Sequence, residues 1–535
     1  MVAALGLAAA GWLAAEEIYA GSAACAPCHQ AISRSYGATP MARSSGRPAA
    51  GPFRESFAAN VVFQVAPGVR YRVFQEDGGY AFAFAKERMP IRGERRLDYF
   101  IGSGAAGRSY AFSVEGFLFQ APVSYYSQPA RWDLSPGYER DQTLNLARPI
   151  TPECLECHAS RLQPVPGAAN RYQQPPFLEG GIGCERCHGP GRQHLASPQA
   201  AGMVNPARLE PGRRDSVCAQ CHLTGAARVL KAGRSLATFR PGDPLWNHVV
   251  SLVWAGGGPS DLKVTSHFEK LWQSRCKKAS GDRLWCGSCH EAHRQPAPAE
   301  RAAYYRSKCL GCHQAPDCKG GGGPDCAGCH MPKDPVVDAQ HTVYTDHSIP
   351  RRPLPPSVRT SASSASPGRA PGALAAFWGP APEARDLGLA WYRLAIEQDQ
   401  EGSFTRARDQ LERAKPTDAA GLVPLAFLHE RRGNEERARS LYERAHRADP
   451  SQVEAAANLG AILLRRGRLA EAIPLLEEAL SRQPSLEAAA LNLAQARLRG
   501  GDPAGAERAL RQILEHHPDS ANTWMLLSGL RRATR

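Results

Sequence analysis

No cysteine occurs beyond Cys329 in this 535-residue chain, and none between Cys28 and Cys154. The first absence excludes disulfides and thiol-bound cofactors from everything after residue 380, a stretch rich in Ala, Leu, Arg and Glu. In a chain too long for one ordinary core, such a break in composition implies at least two domains. No apolar run reaches the ~20 residues that a membrane span needs. Met1 to Ala15 is uninterrupted apolar and small, then meets Glu16 and Glu17. That segment, 1–20, suits a signal peptide or N-terminal anchor, although the usual Lys or Arg in front of it is missing. The alternative is a buried N-terminal helix, and membrane association follows only if the segment stays uncleaved. The formal charge of +14 suggests an anionic partner. Residues 1–350 hold 38 basic and 29 acidic side chains, however, and the bound groups inferred below offset most of that excess. No nucleic-acid role is assigned.

What is present is a repeated five-residue word. Cys-x-x-Cys-His occurs seven times, as Cys25/Cys28/His29, Cys154/Cys157/His158, Cys184/Cys187/His188, Cys218/Cys221/His222, Cys286/Cys289/His290, Cys309/Cys312/His313 and Cys326/Cys329/His330. Two thiols separated by two residues reach the two vinyl groups of one porphyrin, and the next imidazole is then held beneath the iron. Zinc ribbons and thioredoxin-like pairs share Cys-x-x-Cys but do not require the His. Histidine is only 17 of 535 residues, so chance does not place it after all seven pairs. The reading is seven covalently attached haem c groups, each with its iron. Each ferric haem with both propionates ionised adds about one negative charge. Thioether attachment is made outside the cytoplasm, which implies a periplasmic or extracellular protein. Cys276 and Cys318 are left over, either as a disulfide or as two buried thiols.

A six-coordinate electron-transfer haem needs a ligand on its second face, whereas an enzyme leaves that face open. Outside the motifs, residues 1–350 contain six histidines for seven irons: His194, His248, His267, His293, His341 and His347. Met41, 12 positions after His29, is the candidate for the seventh, and a thioether raises the reduction potential relative to bis-His ligation. Its alternative is packing against porphyrin.

At these residues the chain resembles bacterial multihaem cytochromes related to the tetrahaem cytochrome c of ammonia oxidisers, in the subgroup that ends in tetratricopeptide repeats. The matching words are Tyr19-Ala20-Gly21-Ser22, Cys187-His188-Gly189-Pro190-Gly191 with His194, Cys289-His290 with His293, Cys329-His330-Met331-Pro332, and Asp346-His347-Ser348-Ile349 with Arg351. The resemblance implies that His194, His293 and His347 are distal ligands to neighbouring haems. Two departures stand out: Met41 where members often have His, and Ala292 where they have Pro.

Between the first two motifs the sequence alternates with period two. Tyr71 and Val73, then Tyr80, Phe82 and Phe84 across Asp77-Gly78-Gly79, then Tyr110, Phe112 and Val114, predict a small antiparallel sheet with an aromatic core over about 55–135. From Cys154 the motifs follow at intervals of 30, 34, 68, 23 and 17 residues, room for single helices and turns, so six haems should cluster. Gly320 to Gly323 lacks the Lys-Ser or Lys-Thr of a phosphate loop. Residues 351–382, with four arginines and no acid, read as a linker. Beyond it Gly433, Gly467 and Gly501 recur every 34 positions, as do Ala438, Ala472 and Ala506, and Pro450, Pro484 and Pro518, which is the tetratricopeptide period.

The expected architecture is therefore a heptahaem domain over 21–350, mostly α and irregular with a β insert, then a linker, then an α-solenoid over 383–535. The repeats offer a docking groove for a redox partner protein, or a cap that merely rigidifies the chain or makes it a homo-oligomer. Three functions compete: an electron carrier, an oxidoreductase with one open haem acting on a small nitrogen or sulfur compound, and a conductive scaffold or filament. The ligand count favours the first, and no Cys-x-x-Cys-Lys, the mark of a catalytic haem in one nitrite reductase family, is present.

Overall fold

The computed structural model describes residues 18–48, 55, 57, 61–66, 68–76, 78–87, 89, 91–138, 143–197, 199, 202–256, 262–314, 323–352 and 372–533. It divides into two compact units. One comprises 1–44, 156–161 and 179–382; the other comprises 45–155, 162–178 and 383–535. The second unit thus unites the β insert with the repeats.

In that unit the insert forms two antiparallel sheets. The first is β2 (Val61–Ala66), β3 (Val69–Glu76), β4 (Gly79–Lys86) and β5 (Ile91–Arg96), in that order. The second runs β1 (Ser45–Gly46), β6 (Tyr99–Ile101), β7 (Gly107–Val114), β8 (Phe117–Tyr126) and β9 (Arg131–Leu134). Strand β3 buries Val69, Tyr71 and Val73 and exposes Arg70 and Arg72, the alternation that its sequence predicts. The β3–β4 hairpin pairs Glu76 with Gly79, leaving a two-residue turn in which Gly78 has φ 70°. Rings from both sheets meet in one core, Phe82 lying 5.8 Å from Phe112, and Phe112 stacking 5.7 Å from Phe119. Each of these fully buried rings contributes about 2–3 kcal/mol by burial.

The repeats are α1 (Ala384–Gln398), α2 (Glu401–Ala414), α3 (Ala419–Arg431), α4 (Glu435–Ala448), α5 (Val453–Arg465), α6 (Leu469–Arg482), α7 (Glu487–Arg499), α8 (Pro503–Ile513) and α9 (Ala521–Ala533). These are four antiparallel pairs and a closing helix. Ala438, Ala472 and Ala506 are fully buried at helix contacts, which explains why the period demands a small residue there. The α8–α9 connection sits against the β insert. His516 stacks 4.8 Å from Phe119 and its carbonyl accepts the Leu146 N–H at 2.9 Å. The Asp519 carboxylate, 3% exposed, accepts the Leu144 N–H at 2.9 Å and the Lys86 ammonium at 2.5 Å.

The motif-bearing unit corrects the expectation of a mostly helical domain. Its longest described helix is Pro211–His222, of 12 residues, and most others are single turns. Its regular structure is sparse: these short helices are joined by turns, loops and a few short strands, and the hairpin of β10 (Ala159–Pro164) and β11 (Tyr172–Gly180) is divided between the two units. β12 (Ala227–Leu230), β13 (Val249–Trp254) and β16 (Leu374–Ala376) form one sheet, and β14 (Lys333–Pro335) pairs with β15 (Val343–Thr345). The reason is local. Intervals broken by Gly and Pro are too short for helix propagation, and Val249-Val250-Ser251-Leu252-Val253-Trp254 is a β-branched run. The far end of the supposed linker belongs to this unit: Leu374–Ala376 pairs with β13, and Phe377 and Trp378 pack on Phe268. No described helix is long and apolar enough to cross a membrane.

Candidate haem centres

Each motif is built on a turn of helix. The His29 N–H returns to the Cys25 carbonyl at 3.0 Å, and the same bond closes 184–188 at 3.0 Å, 286–290 at 2.9 Å and 309–313 at 2.9 Å. Cys218 to His222 form the last turn of Pro211–His222, Cys326–His330 is a helix of its own, and Cys154 follows Pro152 in a one-turn helix. Residues three and four apart share a helix face. The turn therefore sets both thiols along one side with the imidazole beside them, the donor set that two thioethers and an axial nitrogen require. The fifteen described cysteines are all free thiols. Cys318 lies outside the described residues, and with it the pairing to Cys276. Among the described residues no three of His, Cys, Asp or Glu converge as a bare-ion site.

Thiols from different motifs adjoin: Cys25 with Cys184, Cys157 with Cys221, Cys218 with Cys286, and Cys309 with Cys326. Burial pushes Cys187 up to about 11, with the Arg186 guanidinium opposing. Cys221 and Cys286 are instead held below the ordinary thiol value, first by the hydrogen bonds from Cys157 and Cys218.

The motif residues differ in exposure. Cys312 and His313 are both exposed, in the turn that follows the helix Arg301–Leu310, and Cys28, Cys154 and Cys329 are exposed as well. The Cys312 N–H still returns to the Cys309 carbonyl at 3.1 Å, so the turn itself is formed.

Two motif histidines face a second histidine. His188 Nε2 is 3.5 Å from His293 Nε2, and the rings lie 15° from parallel with centroids 5.7 Å apart. Two nitrogens on opposite faces of one metal, each bonded at about 2 Å, stand about 4 Å apart. His188 Nδ1 lies 2.8 Å from the Val204 carbonyl, which fixes the proton there and leaves Nε2 a bare donor. His290 and His347 have ring centroids 6.1 Å apart at 33°, and His347 Nδ1 meets the Thr345 carbonyl at 2.9 Å. Burial, then the neighbouring imidazole of His347, pushes His290 down to about 4.

His267 stands 5.2 Å from His222 and 4.9 Å from His347. Burial first, then His222 and His347, hold it at about 2, so it is neutral, and its buried Nδ1 has no protein partner. The buried Nδ1 of His158 is likewise without one. His330 Nδ1 meets the Pro350 carbonyl at 3.0 Å. These orphaned and carbonyl-fixed nitrogens fit residues prepared for a cofactor.

The other candidates are not brought to a motif histidine by any contact described. His248 is buried, with Nδ1 3.4 Å from Thr238 Oγ1, Nε2 3.8 Å from Asp243, and its ring on Phe239. His194 is half-buried on the short helix Arg192–Ala196, and His341 is half-buried at φ 56° between β14 and β15. Met41 is 36% exposed and engaged through its carbonyl, which accepts the Ile182 N–H at 2.9 Å.

Sequence reasoning passed over the spacer residues inside the motifs. Glu185 is buried and its carboxylate gathers the N–H groups of Ala20 and Gly21, each at 2.8 Å, and of Gly191 at 2.7 Å. Arg186 and Gln220 bridge motifs to one another. The only sign in the sequence was polar residues inside turns that are otherwise indifferent to them.

The cytochrome c554 and c-prime family matches residues 132–189, a window that holds the second and third motifs. Two tetratricopeptide repeat families match 425–487 and 463–530. No curated protein matches the chain. Among solved structures, MamA is 17% identical over 29% of this chain and 85% of its own, with a TM-score of 0.24. PilF of Pseudomonas aeruginosa is 23% identical over 29% and 72%, with a TM-score of 0.26. The first repeat domain of Spaghetti (RPAP3), bound to an HSP90 peptide, is 20% identical over 22% and 94%, with a TM-score of 0.21. The chain combines a cytochrome segment, whose family implies covalently bound haem c, with repeats of a kind that mediates protein–protein interaction.

Proposed function

We propose that this is an exported heptahaem c-type cytochrome of the ammonia-oxidiser type that passes electrons between haems held close together and docks to a redox partner protein through its repeats. The observation that carries the reading is the set of seven Cys-x-x-Cys-His turns, with His188 Nε2 facing His293 Nε2 at 3.5 Å. In this reading the fourteen motif cysteines hold the haems, and the seven motif histidines are proximal ligands. The exposed pair Cys312 and His313 gives its haem an open edge, a place where electrons enter or leave. His293 closes the iron of the third motif and His347 that of the fifth. His267 serves the fourth, beside His222. His194, His248, His341 and Met41 would supply the others, and location is periplasmic or extracellular. When bound, haem supplies the one-electron chemistry; the chain positions imidazoles, excludes water and sets charge. A pyridine haemochrome assay on the fully matured protein should return seven haems per chain; four or fewer overturns the reading.

One observation favours the oxidoreductase alternative. His248 points its ring nitrogens toward Thr238 and Asp243, which takes one histidine out of a supply already short of seven. An electron paramagnetic resonance spectrum of the oxidised protein separates the two. Low-spin signals alone support the carrier, whereas a stoichiometric high-spin ferric signal supports an open, catalytic haem.

A further inference from the structure

Three of the seven motif turns are tied together through their spacer residues. Arg186, the second spacer of Cys184–His188, donates from Nη2 to the carbonyl of Glu156, the second spacer of Cys154–His158, at 3.0 Å. Gln220, the second spacer of Cys218–His222, donates from Nε2 to the carbonyl of Arg186 at 3.1 Å. Gln220 is 3% exposed and Arg228 of β12 donates to its carbonyl at 2.8 Å, so the junction is fixed from behind. The Arg186 Nε is buried with no protein partner. The bond from Nη2 goes to a carbonyl oxygen, so it leaves the guanidinium charge unneutralised. The nearest carboxylate on its own turn, Glu185, is occupied by three backbone N–H groups.

We infer that Arg186 is a shared potential-setting residue: a half-buried cation at the junction of the second, third and fourth motifs, alongside Arg228, that raises the reduction potentials of all three haems together. The inference rests on the haem reading above. Reduction of a haem lowers its net positive charge by one, so a fixed cation nearby favours the reduced form, and it does so strongly where water is excluded. The side chain belongs to the third turn, touches the second, and its charge is felt at Cys157 and at Cys221 of the fourth, so its field is common to three irons.

The test is a spectroelectrochemical titration of the full-length holoprotein, with haem content measured on the same sample. Arg186→Gln should keep the haem complement and move three midpoints downward together, while Arg186→Lys, which keeps the charge and loses the fork, should leave them near wild type. Arg186→Met gives a second route: it removes the charge with a different side chain and should lower the same three midpoints. A protein with full haem content whose midpoints do not move in Arg186→Gln overturns the inference, as does a shift confined to one haem. A Lys variant that shifts as far as Gln overturns it too, since hydrogen bonding rather than charge would then be responsible. If Arg186→Gln fails to mature, Arg186→Met decides alone, by the same three-haem shift or its absence. Loss of haem from the wild-type chain would instead sink the parent reading, so the two failures are distinguishable.

Discussion

The aromatic-cored unit and the motif-bearing unit are held in shape by different physics. In the first, Tyr71, Phe82, Tyr110, Phe112 and Phe119 form one continuous core, and the repeats bury alanine and leucine at every helix contact. In the second, the larger described cluster is Ala219, Leu223, Leu236, Phe239, Leu245, Val249 and Phe268, and none of the described motif cysteines is fully buried. A core of that size does not offset the ordering of about 200 residues at about 1.5 kcal/mol each. The comparison teaches that one unit is specified by its side chains alone and the other by side chains plus covalent cofactor.

The largest way to break that comparison is to withhold the haem. Chain made without the cytochrome maturation machinery should show hydrogen-exchange protection in peptides from 69–126 and 419–513. Peptides from 184–330 should exchange as freely as an unfolded chain, a complete loss rather than a graded one. Equal protection in both regions would mean that the motif unit folds by itself.

A second break is to the chain. The arginine and proline stretch suggests that the repeats fold alone, yet the α8–α9 connection lies on the insert through Phe119, Leu144, Leu146 and Lys86. A protease site placed at Ser364 and cut after folding should therefore leave two fragments that co-elute from a sizing column. Elution of the repeats as a folded monomer would show that the contacts with the insert are dispensable.

How much of this was legible beforehand varies with the physics. The seven turns were, because attachment fixes both residue type and spacing. The repeat period was, because buried alanines recur at the positions where helices touch. The β3–β4 hairpin was, because alternation and a Gly-ending turn are local signals. What the sequence hid was long-range. Nothing in His516 or Asp519 advertises that they meet a segment more than 370 positions earlier. Nor does Val249 to Trp254 say that Leu374–Ala376 will complete its sheet. The facing of His188 and His293 was reachable only by resemblance, since the 105 positions between them carry no periodicity.

A smaller effect sharpens the contact between insert and repeats. Burial first, then His517 and Arg95, hold His516 at about 4, below the ordinary histidine value of about 6.5. The folded state therefore binds the proton less readily than the unfolded state, so stability is full above about 6.5 and falls as the pH drops toward about 4. The loss across that window is about 3 kcal/mol. Urea midpoints at pH 7, 5.5 and 4.5 should decline more steeply for wild type than for His516→Gln. Parallel declines would show that the slope belongs to other groups.

The smallest effects lie in the repeats, where two glycines of one unit ask for glycine on different grounds. A Cβ on Gly460 would stand 2.8 Å from Leu476 Cγ and 3.3 Å from the Ala472 carbonyl, so Gly460→Ala wedges α5 from α6 and should cost about 1–3 kcal/mol. Gly467 has open space around the same position, but its φ is 73°, so Gly467→Ala meets only the left-handed backbone penalty of about 1 kcal/mol. The two costs answer to different rescues. Gly467→Asn should recover part of the loss, since asparagine tolerates that conformation, and Gly460→Ser should recover none. Leu476→Ala, by contrast, should reduce the additional cost of Gly460→Ala and leave that of Gly467→Ala unchanged, because neighbours couple and distant sites add. Urea denaturation of these single variants and the two Leu476→Ala double variants reads all of this. Equal coupling of Leu476 to both glycines would mean that the turn and the helix contact are one feature rather than two.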